Sequence, residues 1–219
     1  MSLTITGGIT LNGGGWTVTA APPGGPTAGW IGGGSTPTQT SNVQRITFAT
    51  DTATATTRGP LNVEKYNLAA AGNDTNGWFG GGENSSGISS TVASITYATD
   101  TATASVRGPL SLARYGLTAT GTTSYGWFSG GSSPSSVSTV DRITYATDTA
   151  TASIRGPLSL TVTKPSAVTD ATTYGWVGGG DPNITTVNRI TYATDTATAD
   201  VRGPLTLGKY AAAGASGVQ

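Results

Sequence analysis

The chain has 219 residues, no Cys and no His, and 11 acidic side chains balance 11 basic ones, so its formal net charge is zero. Charged residues make up 10% of it, well under the roughly 25% of ordinary soluble domains. This composition excludes thiol nucleophiles, disulfides, zinc sites built on Cys or His, and triads that need imidazole, and it offers no basic footprint for nucleic acid or an anionic membrane surface.

The opening residues lack the charged start and apolar core of a signal peptide, and no apolar run approaches the ~20 residues of a membrane-spanning helix. Residues 3–8 read as a short apolar strand closed by Gly7-Gly8. Residues 17–28 read as a degenerate inner strand interrupted by Pro22, Pro23 and Pro26. Residues 1–28 form an N-terminal strand segment, a ring-closing or assembly arm, and residues 29–219 form the repeats.

From there the chain writes nearly the same unit four times. Gly-Trp and a Gly-rich run open each unit, with Trp30, Trp78, Trp127 and Trp176 spaced by 48, 49 and 49 residues. An Ile-Thr-aromatic-Ala-Thr-Asp-Thr-Ala-Thr segment follows. Arg-Gly-Pro-Leu closes the unit, with Arg58, Arg107, Arg155 and Arg202 spaced by 49, 48 and 47 residues. A period of 40–50 residues marks a repeat architecture such as a propeller.

In the third unit, Tyr125–Ser129 reads as a buried strand ended by Gly130-Gly131 and followed by a polar loop over 132–138. Residues 140–146 alternate, with Val140, Arg142, Thr144 and Ala146 on one face and Asp141, Ile143 and Tyr145 on the other. Residues 147–149 read as a turn with Asp148 bonding nearby amides. Residues 150–154 and 162–169 read as two more strands. Short antiparallel strands, three or four to a unit, make an all-β propeller. The last unit ends on residues 209–219, the counterpart of the segment before each Gly-Trp. The expectation is four full units plus a split fifth, sealed into a ring by both chain ends; four units with an appended N-terminal segment is the other count.

The order Gly130-Gly131, then Thr144-Tyr145-Ala146-Thr147-Asp148-Thr149, with Arg114-Tyr115 at the later basic position, resembles a kelch repeat over residues 29–219. It departs from kelch in lacking the second aromatic after the turn. The kelch likeness also suggests a galactose-oxidase type of enzyme, but that chemistry uses His ligands and a Cys-linked Tyr, both missing here. The unit from Gly-Trp-Phe-x-Gly-Gly to Arg-Ile-Thr-Tyr-Ala-Thr-Asp-Thr-Ala-Thr-Ala-Ser-Val-Arg-Gly-Pro-Leu-Ser is similar to repeats in structural proteins of marine bacteriophages, notably cyanophages. The opening Thr4-Ile5-Thr6-Gly7-Gly8-Ile9-Thr10-Leu11 resembles the starts of phage tail proteins. The resemblance implies a virion component (tail, fibre or decoration protein), made in the host cytoplasm without a signal peptide. Its implied partners are other virion proteins, copies of itself and a host-surface glycan.

Candidate site residues follow from the repeats. Trp30, Trp78, Trp127 and Trp176 read either as packing between blades or as stacking platforms for sugars. Asp51/Arg58, Asp100/Arg107, Asp148/Arg155 and Asp195/Arg202 read as within-unit structural pairs, the Asp capping the turn and the Arg holding a neighbouring oxygen. The Gly-rich runs lack the Lys-Ser/Thr of a phosphate loop and open no helix. The most variable loops, residues 35–42, 83–90, 132–138 and 181–185, are where a binding surface would sit. Glu83 and Asp181 are isolated carboxylates, thin for the six to eight oxygens calcium takes. The expectation is a non-enzymatic structural or adhesion module with no cofactor and no metal; the alternative is a stand-alone glycan-binding lectin.

Overall fold

The computed structural model describes residues 27–216, together with the strands β1 (Ile9–Asn12) and β2 (Gly15–Val18), which pair as an antiparallel hairpin. The expected strand over residues 3–8 lies outside the described residues, as do residues 19–26.

Four antiparallel sheets follow, one per repeat. The first comprises β3 (Ala28–Gly32), a small hairpin of β4 (Ser35–Thr36) and β5 (Thr38–Gln39) at its rim, β6 (Val43–Thr47) and β7 (Thr56–Arg58), paired in the order β3-β6-β7. The second has β8 (Ala69–Gly72), β9 (Asn76–Gly80), a rim hairpin of β10 (Glu83–Asn84) and β11 (Gly87–Ile88), then β12 (Val92–Thr96) and β13 (Ser105–Arg107). The third has β14 (Thr118–Gly121), β15 (Tyr125–Ser129), β16 (Val140–Thr144) and β17 (Ser153–Arg155). The fourth has β18 (Ser166–Thr169), β19 (Tyr174–Gly178), β20 (Val187–Thr191) and β21 (Asp200–Arg202). In the last three sheets the strands neighbour one another in chain order. Each sheet is a blade, and no α-helix occurs among the described residues.

The blades stack face to face, so a central blade buries both faces. Val92, Ala93, Ser94 and Ile95 of β12 are all buried, whereas only Val43 is buried in β6 of the first blade. Ile31 of the first blade is 61% exposed, while the residues at its position in the next two, Phe79 and Phe128, are 4% and 0% exposed. Three separate hydrophobic clusters result, one at each blade–blade contact. Phe79, Leu61 and Ile95 belong to the first, Trp78, Phe128 and Ile143 to the second, and Trp127, Val162 and Ile190 to the third. Most of the core is therefore made between repeats, which is why no single repeat would hold its shape alone.

Paired glycines follow the Gly-Trp strand of every blade in the left-handed region, as at Gly81 (φ 70°) and Gly82 (φ 91°). Side chains rarely adopt this conformation. It turns the backbone so that Gly82 N–H donates to Arg114 O at 2.9 Å, and Gly34, Gly131 and Gly180 donate likewise to Lys65, Val162 and Lys209. The segment entering each next blade is tied down in this way.

Several local expectations shift. The turn over residues 147–149 is a one-turn 3-10 helix at Tyr145–Thr147, repeated at Phe48–Thr50, Tyr97–Thr99 and Tyr192–Thr194. The third blade's outer strand begins at Ser153 rather than 150, because Ala150 N–H closes the turn on Thr147 O and Ala152 N–H is taken by Pro109 O of the preceding unit. Its successor begins at Ser166 rather than 162, since Val162 N–H and Lys164 N–H bond the loops of the third blade and its entry segment. The tail over 211–216 is held at both ends beside β18. Ala211 N–H donates to Lys164 O at 3.0 Å, and Ser216 Oγ accepts from Thr169 N–H at 2.9 Å. It lies where the inner strand of a following blade would lie.

Candidate functional site

The repeated side chains meet at the joints between blades. Trp30 Nε1–H donates to Asp100 Oδ2 at 2.9 Å, Trp78 to Asp148 at 2.7 Å and Trp127 to Asp195 at 2.8 Å. Each indole also lies flat on the tyrosine three residues before that Asp: Trp30 on Tyr97, Trp78 on Tyr145 and Trp127 on Tyr192, with centroids 3.8–4.0 Å apart and planes within 16° of parallel. Trp78 and Trp127 are 3% and 1% exposed, so the structure places these indoles inside the joints, not on an open face. Trp30, at the first joint, and Trp176, in the last blade, are half-buried.

The Asp–Arg pairs run between units, not within them. Arg58 meets Asp100 at 3.4 Å, Arg107 meets Asp148 at 3.2 Å and Arg155 meets Asp195 at 3.5 Å. These aspartates cap no turn; their carboxylates cross to the preceding blade. The Arg-Gly-Pro backbone joins the same contact. Gly59, Gly108 and Gly156 donate N–H to the Asp100, Asp148 and Asp195 carbonyls, each at 2.8 Å, and the Pro60, Pro109 and Pro157 carbonyls accept from Ala104, Ala152 and Ala199. A Cβ on any of these three glycines would collide with the Ala102, Ala150 or Ala197 carbonyl, so glycine is required by close backbone approach. One half of the repeat (Trp, Arg-Gly-Pro) is thus a socket, and the other (Tyr-x-x-Asp-Thr-Ala) is the plug of the next blade.

A second arginine reinforces two of the three joints. Arg45 and Arg142, directly across the ladder from Trp30 and Trp127, reach Asp100 at 3.4 Å and Asp195 at 3.0 Å. Arg142 also lies over the Tyr125 ring, 4.6 Å from its centroid. The residue across from Trp78 is Ser94, whose hydroxyl is buried with no hydrogen-bond partner. Asp148 accordingly has one arginine, and its side chain is 13% exposed against 7% and 6% for Asp100 and Asp195.

A groove of about 570 Å³ opens at that joint. It is lined by Asn73, Asn76, Trp78, Arg107, Tyr125, Thr144 and Asp148, with Thr123 and Ser124 on the facing turn. The turns on its rim are braced by side-chain hydrogen bonds. Asn73 Oδ1 accepts from Thr75 N–H and Asn76 N–H at 2.9 and 3.0 Å, Asn73 Nδ2 crosses to Thr123 O at 3.2 Å, and Thr122 Oγ1 accepts from Ser124 N–H and Tyr125 N–H. At its floor burial pushes the Tyr145 phenol well above its ordinary pKa, so it stays protonated. The groove therefore offers a carboxylate, two amides, hydroxyls and an aromatic wall, a set suited to neutral polyhydroxylated ligands. A larger cavity, about 960 Å³, lies at the first joint against Trp30, Arg45, Asp74 and Tyr97, bounded by Thr27 where the described residues begin.

No protein-family model matches the chain, and no curated protein does. Among solved structures 161 chains match it. One, titled "Structure of YjhT", superposes with a TM-score of 0.64 at 13% identity, covering 82% of this chain and 63% of its own. The fold is β-propeller-like. The chain spans less than two thirds of that protein's length, and at such identity the likeness concerns the fold alone.

Recurrence in the sequence marks the tryptophans, aspartates and terminal arginines of this site. Passed over were the tyrosines they stack on, the second arginines Arg45 and Arg142, and the groove residues Asn73, Asn76 and Tyr125. The signal was available: aligned units carry Arg at 45, 142 and 189 and Ser at 94. The variable loops lie at the opposite end of β9, β15 and β19 from the groove turns; there the backbones of Glu83 and Asp181 pair with Tyr66 and Thr163, and the Glu83 carboxylate accepts from Asn67 Nδ2 at 3.1 Å.

Proposed function

We propose that this chain is a non-enzymatic adhesion module of a phage particle, a propeller of four blades whose second joint binds a neutral carbohydrate. The tail over 211–216 occupies the place that the first strand of a fifth would take. The observation that carries the binding reading is the replacement of a joint arginine by Ser94, which leaves the Asp148 carboxylate facing a groove walled by Tyr125, Asn73 and Asn76. Sugar hydroxyls donate to the free carboxylate oxygen, the amides fix their orientation, and the apolar sugar face packs on the tyrosine ring. The particle setting is supported by the resemblance of the units to repeats of marine phage proteins, and a hydroxyl-rich, charge-poor surface suits display outside a cell.

A glycan array probed with purified protein tests the reading. Saturable binding to a defined glycan class, lost in Tyr125→Ala at a temperature where the variant is still fully folded, is expected. Binding that is absent, or indifferent to Tyr125, contradicts it.

A further inference from the structure

The joint has two unlike halves, and the folded chain exposes one of each. The first blade presents an unused plug: Phe48 stands at the position of the stacking tyrosines and is 51% exposed, Ile31 is 61% exposed, and Asp51, the counterpart of Asp100, Asp148 and Asp195, is exposed. The last blade presents an unused socket. Among the described residues Trp176 meets no carboxylate and lies only tilted, at 57°, against Tyr174 of its own strand, and a Cβ on Gly203 would meet nothing within 4 Å, unlike Gly59, Gly108 and Gly156 before it.

The arginines of that socket are occupied by a stand-in. Arg189 and Arg202 hold Asp200 of their own blade at 2.8 and 2.7 Å. The register position of Asp200 is Ser153 in the third blade and Ser105 in the second, so the last blade alone among these three supplies its own carboxylate. Its side chain is 52% exposed, placed where an incoming carboxylate can displace it.

We propose that plug and socket bind each other between copies of the chain, which assembles head to tail through a fourth joint of the same design. Trp176 receives Phe48 and Asp51 of a second copy, Gly203 N–H donates to its Asp51 carbonyl, and Asp200 is the competitor that keeps the joint reversible. The match is residue for residue with the three internal joints, apolar ring to indole and carboxylate to arginine pair, which argues for a second copy over an unrelated protein. Unlike halves propagate: they close into a ring where the rotation allows and extend into a filament where it does not.

Sedimentation velocity over a concentration series tests this. Wild type is expected to self-associate, and Asp200→Ser to associate about tenfold more tightly, since the arginines are released to the second copy. Gly203→Ala blocks the socket, Asp51→Arg the plug, and each alone is expected to be monomeric with a wild-type unfolding midpoint. Mixed together they should form dimers and nothing larger, because one intact plug and one intact socket survive. If Asp51→Arg fails to fold, Phe48→Ala replaces it. Wild type and Asp200→Ser both staying monomeric, Gly203→Ala assembling like wild type, or the mixture failing to dimerise would overturn the proposal. So would a monomeric wild type whose midpoint falls in Asp51→Arg, since that places the fourth joint within one chain.

Discussion

Replacing Ser94 by Arg restores to the second joint what the first and third already have. The new guanidinium, across the ladder from Trp78, follows the path of Arg142 to the next blade's carboxylate, here Asp148. At about 3 Å and an effective dielectric near 20, the gross attraction is about 5 kcal/mol. Ordering a long side chain costs about 2 kcal/mol, and partial desolvation removes a similar amount, leaving a net gain of about 1 kcal/mol. Removing the Ser94 hydroxyl, buried without a partner, relieves about another 1 kcal/mol. The sum, about 2 kcal/mol, corresponds to a rise in Tm of about 6 °C for a chain of this size. The same guanidinium would engage the Asp148 carboxylate that lines the groove, so glycan binding is expected to weaken as stability rises. Calorimetry paired with titration of the best array ligand reads both. A lower Tm would refute the joint design, and a higher Tm with binding intact would refute the placement of the ligand.

The other consequences concern glycine, buried charge and pH. Gly108→Ala drives a Cβ into the Ala150 carbonyl and is expected to cost about 3 kcal/mol in denaturant unfolding, whereas Gly203→Ala, with open space around it, stays within about 0.5 kcal/mol of wild type. Arg114 and Asp141, both wholly buried and 2.7 Å apart, are a pair whose disruption from one side costs about 3–5 kcal/mol; Arg114→Met should therefore destabilise strongly. The double change Arg114→Val with Asp141→Asn should recover most of that loss, since the fourth blade carries Val162 and Asn188 there and Asn188 Oδ1 still accepts from Ser159 N–H at 2.8 Å. Lys65 fills the same position in the second blade with Ala93 where the acid would be, and among the described residues its buried ammonium bonds Thr91 O alone; desolvation brings its pKa down to about 8. Between pH 8 and about 10.4 the unfolded chain holds a proton there that the folded chain has released, so stability rises with pH by up to about 3 kcal/mol. Above pH 10 the sign reverses, because burial holds the Tyr97 phenol at about 12 and raises Tyr145 and Tyr192 as well. Denaturant midpoints across pH 7–11 should show that maximum, and Lys65→Met should abolish the rise.

The repeat period, the all-β class and the paired glycines were legible in the sequence because each is a local or periodic signal: alternation for strands, positive φ for Gly-Gly. The joint was half legible. Its residues stand out by recurrence, but recurrence says nothing about which copy of Asp meets which copy of Arg. Reading Asp51 with Arg58 followed nearness along the chain, whereas packing of adjacent blades pairs Arg58 with Asp100. The groove was hidden for the opposite reason, since what sets it apart is single departures from the repeat, Asn76 in its lining and Ser94 across the ladder from Trp78, and a search for similarity passes over single departures. The same holds for Lys65, Arg114 and Val162, one position in three blades whose chemistry follows the partner each finds at Ala93, Asp141 or Asn188.

The joint itself can be watched through its indole protons. Hydrogen exchange of the tryptophan Nε1–H signals, read by NMR on the monomeric Asp51→Arg variant, reports on each joint separately. Slow exchange is expected for Trp30, Trp78 and Trp127, donating to the Asp of the following blade, and fast exchange for Trp176, whose blade has no successor in the monomer. Equal exchange at all four would contradict the repeated plug and socket on which the fold, the groove and the proposed assembly rest.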